Sequence, residues 1–319
     1  MQSLKRIIGA VALIVPVAAI VPAASAQDWP PQSLTLVTHS SAGGGGDTML
    51  RNLGPTLERK FGITTTVDNR VGGSGAVALS WLANQAPNDG TVLLSVTPTQ
   101  LLTPLRAPGI PTFEDLTVIG RLFLDPTVLY VHTESPFQTV QEFIDHARAN
   151  PRDLAVAIGS AGSLDQLVLQ TFEREGGFEV RTVPHEGGGD AMVALLGQHV
   201  DAVVGEPGQG MSQIESGTVR LLGVFQEERL AAFPDVPTLR EVGVDVVSNK
   251  FRGIFGPPNM DPALVERISQ VMSELYDDEP WKTYWVGGSM DAAFLGPDEF
   301  RANLAQSNEE LRVFVQGAQ

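Results

Sequence analysis

Short apolar runs along this chain alternate with glycine-rich loops and with segments whose apolar positions recur at helical spacing. The first unit is Leu34 to Val37, the loop Ser40-Ser41-Ala42-Gly43-Gly44-Gly45-Gly46-Asp47, and a helical pattern from Thr48 to Lys60. Ile63 to Val67 reads as the next strand, Asn69 to Gly75 as a loop and Ala76 to Ala86 as a helix. Thr91 to Val96 is a strand ending in Thr97-Pro98-Thr99. Further on come the strand Leu154 to Ile158, the loop Gly159 to Ser163 and the helix Leu164 to Glu175. Arg181 to Pro184 leads through Glu186-Gly187-Gly188-Gly189-Asp190 into a helix from Ala191 to Leu196. Ala202 to Val204 and Arg220 to Phe225 complete the series. Strands alternating with helices of this length predict an α/β fold with parallel-rich sheets and right-handed crossovers.

A strand, a glycine loop and a helix start aim free backbone N–H groups and a helix dipole at whatever sits above the strand. Ser40 and Ser41 add hydroxyl donors, so this unit suits an anion. The stretch Gly44-Gly45-Gly46-Asp47-Thr48-Met49-Leu50 is echoed by Gly187-Gly188-Gly189-Asp190-Ala191-Met192-Val193. In both, the aspartate reads as a helix N-cap and the methionine as the apolar side of the new helix. The echo suggests two lobes presenting matching helix starts across a cleft, where strand carboxyl ends converge. Val128 to Val131 and Arg252 to Phe255 are the expected crossovers. Residues 27–127 with 248–319 would form one lobe, 128–247 the other, and the helices Pro262 to Asp277 and Pro297 to Val315 would return to the first.

Composition adds location. Lys5 and Arg6, an apolar run from Ile7 to Ile20, and Ala24-Ser25-Ala26 form a signal-peptide pattern over residues 1–26, with cleavage expected after Ala26. The chain has no cysteine, which removes lipoprotein anchoring, thiol nucleophiles and disulfide frameworks from consideration. Its net charge of −16 argues against nucleic acid or anionic membrane as a partner. An anion would therefore be captured by short, aimed hydrogen bonds rather than by the overall field, which salt screens beyond about 8–10 Å.

The ordered set of motifs resembles the periplasmic solute-binding proteins of tripartite tricarboxylate transporters, the Bug receptors. It comprises Trp29-Pro30, Gly43-Gly44-x-x-Asp47, Asp68-Asn69-Arg70-x-Gly72-Gly73-Ser74-Gly75 and Ala86-Pro87-x-Asp89-Gly90-Thr91. It continues with Gly187, Leu195-Leu196-Gly197, Val200-Asp201, Gly217-x-x-Arg220-x-Leu222 and Pro234-Asp235-Val236-Pro237-Thr238. The resemblance implies a two-lobed periplasmic binding protein, type II-like, which closes over a small organic carboxylate and delivers it to integral-membrane permease subunits. It implies a monomer with no enzymatic activity, no cofactor and no metal.

By the same resemblance, Ser40, Ser41, Gly43, Gly44 and Asp47 form the first ligand loop, and Ser160, Gly162, Ser163 and Asp165 the second. Thr97 and Thr99 belong to another pocket loop. Glu186 to Asp190, with Gly187 and Gly188, and Glu206 would meet the ligand's distal end, and His185 flanks that loop as a further candidate contact. Ser40, Ser160 and Ser163 are the strongest candidates for direct contact. Asp47 and Asp190 read better as N-caps than as ligands, since a carboxylate repels an anion. Glycines 72, 73 and 75 either form a tight turn or touch ligand, and Arg252 reads better as a structural ion pair. The sequence departs from the family pattern at His39-Ser40-Ser41-Ala42 and at His185, both of which make the pocket more polar. The rival readings are a secreted hydrolase and a receptor feeding a sensor kinase. No G-x-x-x-x-G-K-[ST] or G-x-S-x-G motif is present to support an enzyme.

Overall fold

The computed structural model describes residues 29–317 apart from residue 249. The expected signal peptide and its cleavage site lie outside the described residues. The chain opens with β1 (Ser33–Thr38), α1 (Gly45–Phe61), β2 (Thr64–Asn69), α2 (Ala76–Asn84), β3 (Val92–Val96), α3 (Thr99–Arg106) and β4 (Thr117–Leu124). There follow β5 (Val128–His132), α4 (Val140–Ala149), β6 (Ala155–Ile158), α5 (Leu164–Gly176) and β7 (Arg181–Pro184). Then come α6 (Gly188–Leu196), β8 (Ala202–Gly205), α7 (Pro207–Glu215) and β9 (Val219–Val224). The chain ends with β10 (Phe251–Gly256), α8 (Pro262–Ser273), α9 (Trp281–Gly287), β11 (Asp291–Leu295) and α10 (Pro297–Gly317).

Two sheets result, ordered β11-β4-β10-β3-β1-β2 and β7-β6-β8-β5-β9. Both are mixed. β1 pairs in parallel with β2 and β3, and β6 with β7 and β8. β10 and β5 run antiparallel to both of their neighbours. Each of these two strands follows a passage from the other sheet, so no βαβ crossover fixes its direction.

Period-two patterning covers both faces of each sheet. Leu34 and Leu36 of β1 pack with Met49, Leu50, Leu53 and Leu57 of α1. Val37, on the opposite face, packs with Leu79 and Leu82 of α2 and with Phe300 and Leu304 of α10. In the second sheet Leu129 and Val131 meet Phe143 and Ile144 of α4 and Phe172 of α5. Val128 and Tyr130 face Ala191, Met192 and Leu195 of α6. Most of α10 packs on the first sheet, while its end places Leu311 and Val315 against the core of the second.

The segments expected to cross between lobes are themselves interior strands, β5 and β10. The first passage is the short link Asp125-Pro126-Thr127, and the second lies in residues 225–250. The two passages run side by side: Asp125 N–H donates to Lys250 O (2.9 Å) and Phe225 N–H to Thr127 O (2.8 Å). The Thr127 and Ser248 hydroxyls meet at 2.8 Å. Two mutually bonded connections of this kind are the arrangement expected of a hinge.

Candidate functional site

A cleft opens between the sheets at the carboxyl ends of β1, β2, β3, β6, β7 and β8. Its lining includes Ser40, Gly45, Gly46, Gly72, Ser74, Gly75, Thr97 and Thr99 from one side. The other side contributes Gly159, Ser160, Ser163, Asp165, Glu186, Gly187, Gly188, Glu206 and Gln209. His39 stands at the end of β1, and Lys250 and Arg252 form the floor at the hinge.

The first loop is offset from its sequence-based reading. Gly43 N–H donates to Asp47 Oδ2 at 2.9 Å and Gly44 N–H to Ser41 O at 3.0 Å, so both amides are used inside the loop. Helix α1 starts at Gly45 with Gly44 as its N-cap, and no side chain caps it. The amides that face the cleft are therefore those of Gly45 and Gly46. Asp47 is not the N-cap. Its carboxylate turns away from the cleft to accept from Arg51 Nε at 2.9 Å and Asn69 Nδ2 at 2.8 Å, bracing the loop from behind. Asp190 is not an N-cap either: α6 starts at Gly188 with Gly187 as N-cap, and Asp190 is exposed in the first turn. Glycine's poor helix propensity hides both helix starts from a sequence reading.

On the other side, Ser163 caps α5 by accepting from Gln166 N–H at 3.3 Å. The N-termini of α1, α5 and α6 thus converge on one space, and each contributes a partial positive charge. Bonds that span the cleft join the two sides. Ser74 Oγ donates to Ala161 O, Arg106 donates to Gly162 O, and Leu164 N–H approaches Thr99 Oγ1 at 3.4 Å.

The two triple-glycine loops touch each other. A Cβ on Gly187 would lie 2.4 Å from Ser41 N, and one on Gly189 would lie 2.1 Å from Ala42 O. The echoed motifs form a seam at which backbone meets backbone, and no other side chain fits there. Met49 and Met192, which follow the two motifs, are both buried.

Behind the seam lies a buried ionic cluster. Lys250 Nζ donates to Asp165 Oδ1 at 2.7 Å and also to Glu206 Oε1. Arg252 Nε donates to Asp125 Oδ2 at 2.5 Å, and Arg252 lies 3.8 Å from Glu206. None of the five side chains is more than 11% exposed. Burial works against the Glu206 carboxylate, but Lys250 and then Arg252 overcome it and hold Glu206 below the ordinary range. Burial raises Asp165, with Lys250 offsetting part of the effect, and pushes Asp125 up to about 6. Burial, helped by the charges of Lys250 and Arg252, brings His39 down to about 4, so its imidazole is neutral near pH 7.

Of the residues expected from sequence, the cleft brings together Ser40, Thr97, Thr99, Ser160, Ser163, Asp165, Gly187, Gly188 and Glu206. Ser41, Gly43, Gly44, Asp47, Gly162 and His185 are not among the residues that line it. Lys250 was missed. Its signal is the alternation Lys250-Phe251-Arg252, which sets two cations on one side of an otherwise apolar strand.

A sequence model described as "Tripartite tricarboxylate transporter family receptor" matches residues 49–300. The chain belongs to that receptor family. Protein BugT of Bordetella pertussis is 26% identical over 308 residues, covering 95% of this chain and 94% of BugT. A solved R. palustris protein with adipate superposes with a TM-score of 0.83 at 23% identity, covering 89% of this chain and 96% of that one. MatC from Rhodopseudomonas palustris, solved with bound malate, gives 0.79 at 22% identity over 89% and 99% of the respective chains. At these identities the likeness to the receptor is one of fold.

Proposed function

We propose that this protein is an extracytoplasmic receptor that captures a small carboxylate-containing solute between two lobes and hands it to a tripartite tricarboxylate-type permease. The lobes are residues 27–127 with 248–319, and residues 128–247. The observation that carries this reading is the convergence of the N-termini of α1, α5 and α6, with those of α2, α3 and α7, on one cleft, α1 and α6 being free of side-chain caps. Amides left unpaired in this way call for an acceptor, and the dipoles favour a negative one. Family membership, and the adipate and malate held by two proteins of the same fold, support a carboxylate. The signal-peptide pattern supports export to the periplasm.

The energetics suit binding without chemistry. Micromolar capture requires about −8 kcal/mol. Charge-assisted hydrogen bonds contribute roughly 1.5–3 kcal/mol each. Four such bonds from the loops suffice after closure and ligand ordering have taken their share. Closure also offers the permease a signal, because only the closed form sets both lobes in one arrangement.

The test is thermal unfolding against mono-, di- and tricarboxylates, aromatic acids and amino acids. A ligand at 100 times its dissociation constant adds about 2.7 kcal/mol, a shift of several degrees. A shift confined to one group of carboxylates is expected. No shift with any acid, in protein free of co-purified ligand, would overturn the reading.

A further inference from the structure

The start of α1 meets two buried side chains of the floor. A Cβ on Gly45 would stand 2.1 Å from Arg252 Nη2 and 2.9 Å from Glu206 Oε2, so the absence of a side chain lets both reach this turn. Arg252 is 2% exposed, and Asp125 Oδ2 lies 2.5 Å from both its Nε and its Nη2. The hydrogen bond is made by Nε, and Nη2 has no hydrogen-bond partner among the described residues. Glu206 gives Oε1 to Lys250, and the neighbouring cations hold it ionised. Its other oxygen, Oε2, is the one beside Gly45. An unpaired donor and an ionised acceptor therefore stand together next to the Gly45 and Gly46 amides, and all four residues line the cleft.

A carboxylate seated on those amides carries its second carbon, and whatever that carbon bears, within reach of the pair. A hydroxyl there accepts from Arg252 Nη2 and donates to Glu206 Oε2, satisfying both. A carbonyl satisfies Arg252 but sets its lone pairs against the Glu206 carboxylate. An ammonium satisfies Glu206 but faces the Arg252 cation and leaves Nη2 unpaired. A methylene pairs with neither. The carboxylate and the two partners of the hydroxyl fix three points, so one hand of the second carbon fits better than the other. Gln209 also lines the cleft, and both atoms of its amide are buried with no partner among the described residues. They can receive a second acid group or a further hydroxyl, so selection at the second carbon is independent of how many carboxylates the solute bears.

Resting on the receptor reading above, we infer that the solute is a 2-hydroxy carboxylate and that Arg252 and Glu206 are the residues that select it. The carboxylate sits on the α1 amides, and the adjacent hydroxyl bridges Arg252 Nη2 and Glu206 Oε2.

The experiment is calorimetric titration of the purified protein with acids that differ only at the second carbon. One series is lactate, pyruvate, alanine and propionate, and a second is 2-hydroxyglutarate, 2-oxoglutarate, glutamate and glutarate. A third is mandelate, phenylglyoxylate, phenylglycine and phenylacetate, and chiral members are titrated as separate enantiomers. In at least one series one enantiomer of the hydroxy acid should bind at least about tenfold more tightly than its mirror image and than the oxo, amino and unsubstituted acids. Glu206→Gln offers an N–H in place of one carboxylate oxygen, so the oxo acid should rise to within about threefold of the hydroxy acid. An unchanged ranking in that variant would overturn the role of Glu206. If the variant fails to fold, the wild-type ranking still decides. Hydroxy acids that lead in no series, or whose enantiomers bind equally, would overturn this inference and leave the receptor reading intact. Failure of every acid to bind would overturn both.

Discussion

The rim of the cleft and its floor are built on opposite principles. The rim is backbone: two triple-glycine loops in contact, converging helix N-termini, and serine and threonine hydroxyls. The floor is charge: five ionised side chains at the hinge, buried and interlocked. A backbone rim can recognise a carboxylate without carrying net charge, so changing it alters affinity more than folding. A buried ionic floor is costly to assemble, and removing either cation leaves its acid partners uncompensated. The difference separates capture from stability and specificity.

The largest expected effect comes from breaking the floor. Lys250→Met leaves Asp165 and Glu206 without their shared cation and should cost about 3–5 kcal/mol of unfolding free energy in denaturant titration. A loss under about 1 kcal/mol would show that the cluster is solvated rather than buried.

Breaking the rim should do the reverse. Gly187 lies in extended backbone that any residue adopts, so Gly187→Ala leaves the lobe unstrained while its methyl holds the seam apart. Ligand affinity should fall about 100-fold while the ligand-free melting midpoint moves by no more than a few degrees. Unchanged affinity would mean that the seam does not close on ligand.

A smaller effect separates hydroxyl contacts from amide contacts within the rim. Ser160→Ala with Ser163→Ala should weaken binding at least about tenfold, with roughly 1 kcal/mol of stability lost from the α5 cap. Wild-type affinity in that double variant would remove the second loop from the site.

The smallest effect concerns acid. Burial first, then Lys250 and Arg252, keep the folded-state value of His39 near 4 against 6.5 when unfolded. Between those values the unfolded chain binds more protons, so His39 makes stability fall as pH drops from 6.5 to 4. Asp125, raised to about 6, acts in the opposite sense over much of the same range. His39→Asn should therefore flatten or reverse the loss of melting temperature on acidification. Parallel pH profiles for variant and wild type would contradict the burial of a neutral imidazole.

The same contrast governs how much of the site is legible in the sequence. The rim is local: a strand, a glycine loop and a helix lie within one short stretch, so their order announces the cleft and the α/β fold. Even there, Gly45-Gly46 and Gly188-Gly189 conceal the first helical turns, and Asp47 and Asp190 pass for caps. The T-x-x-E capping box at Thr139 and Glu142, which starts α4, is by contrast a signal legible in the sequence. The floor is non-local. Asp125, Asp165, Glu206, Lys250 and Arg252 come from two passages, a helix, a strand end and an antiparallel strand, and no spacing along the chain links them. Similarly, β5 and β10 look like connectors because each follows a passage, yet pairing on both edges makes them interior strands.

The most direct measurement is a crystal structure of the protein with the acid that gives the largest thermal shift. The expected complex places the ligand carboxylate within about 3.2 Å of the Gly45 or Gly46 amide and of a Ser160 or Ser163 hydroxyl. A carboxylate bound instead to Lys250, or a ligand seated in the apolar groove formed by Leu167, Val168 and Leu311, would contradict it.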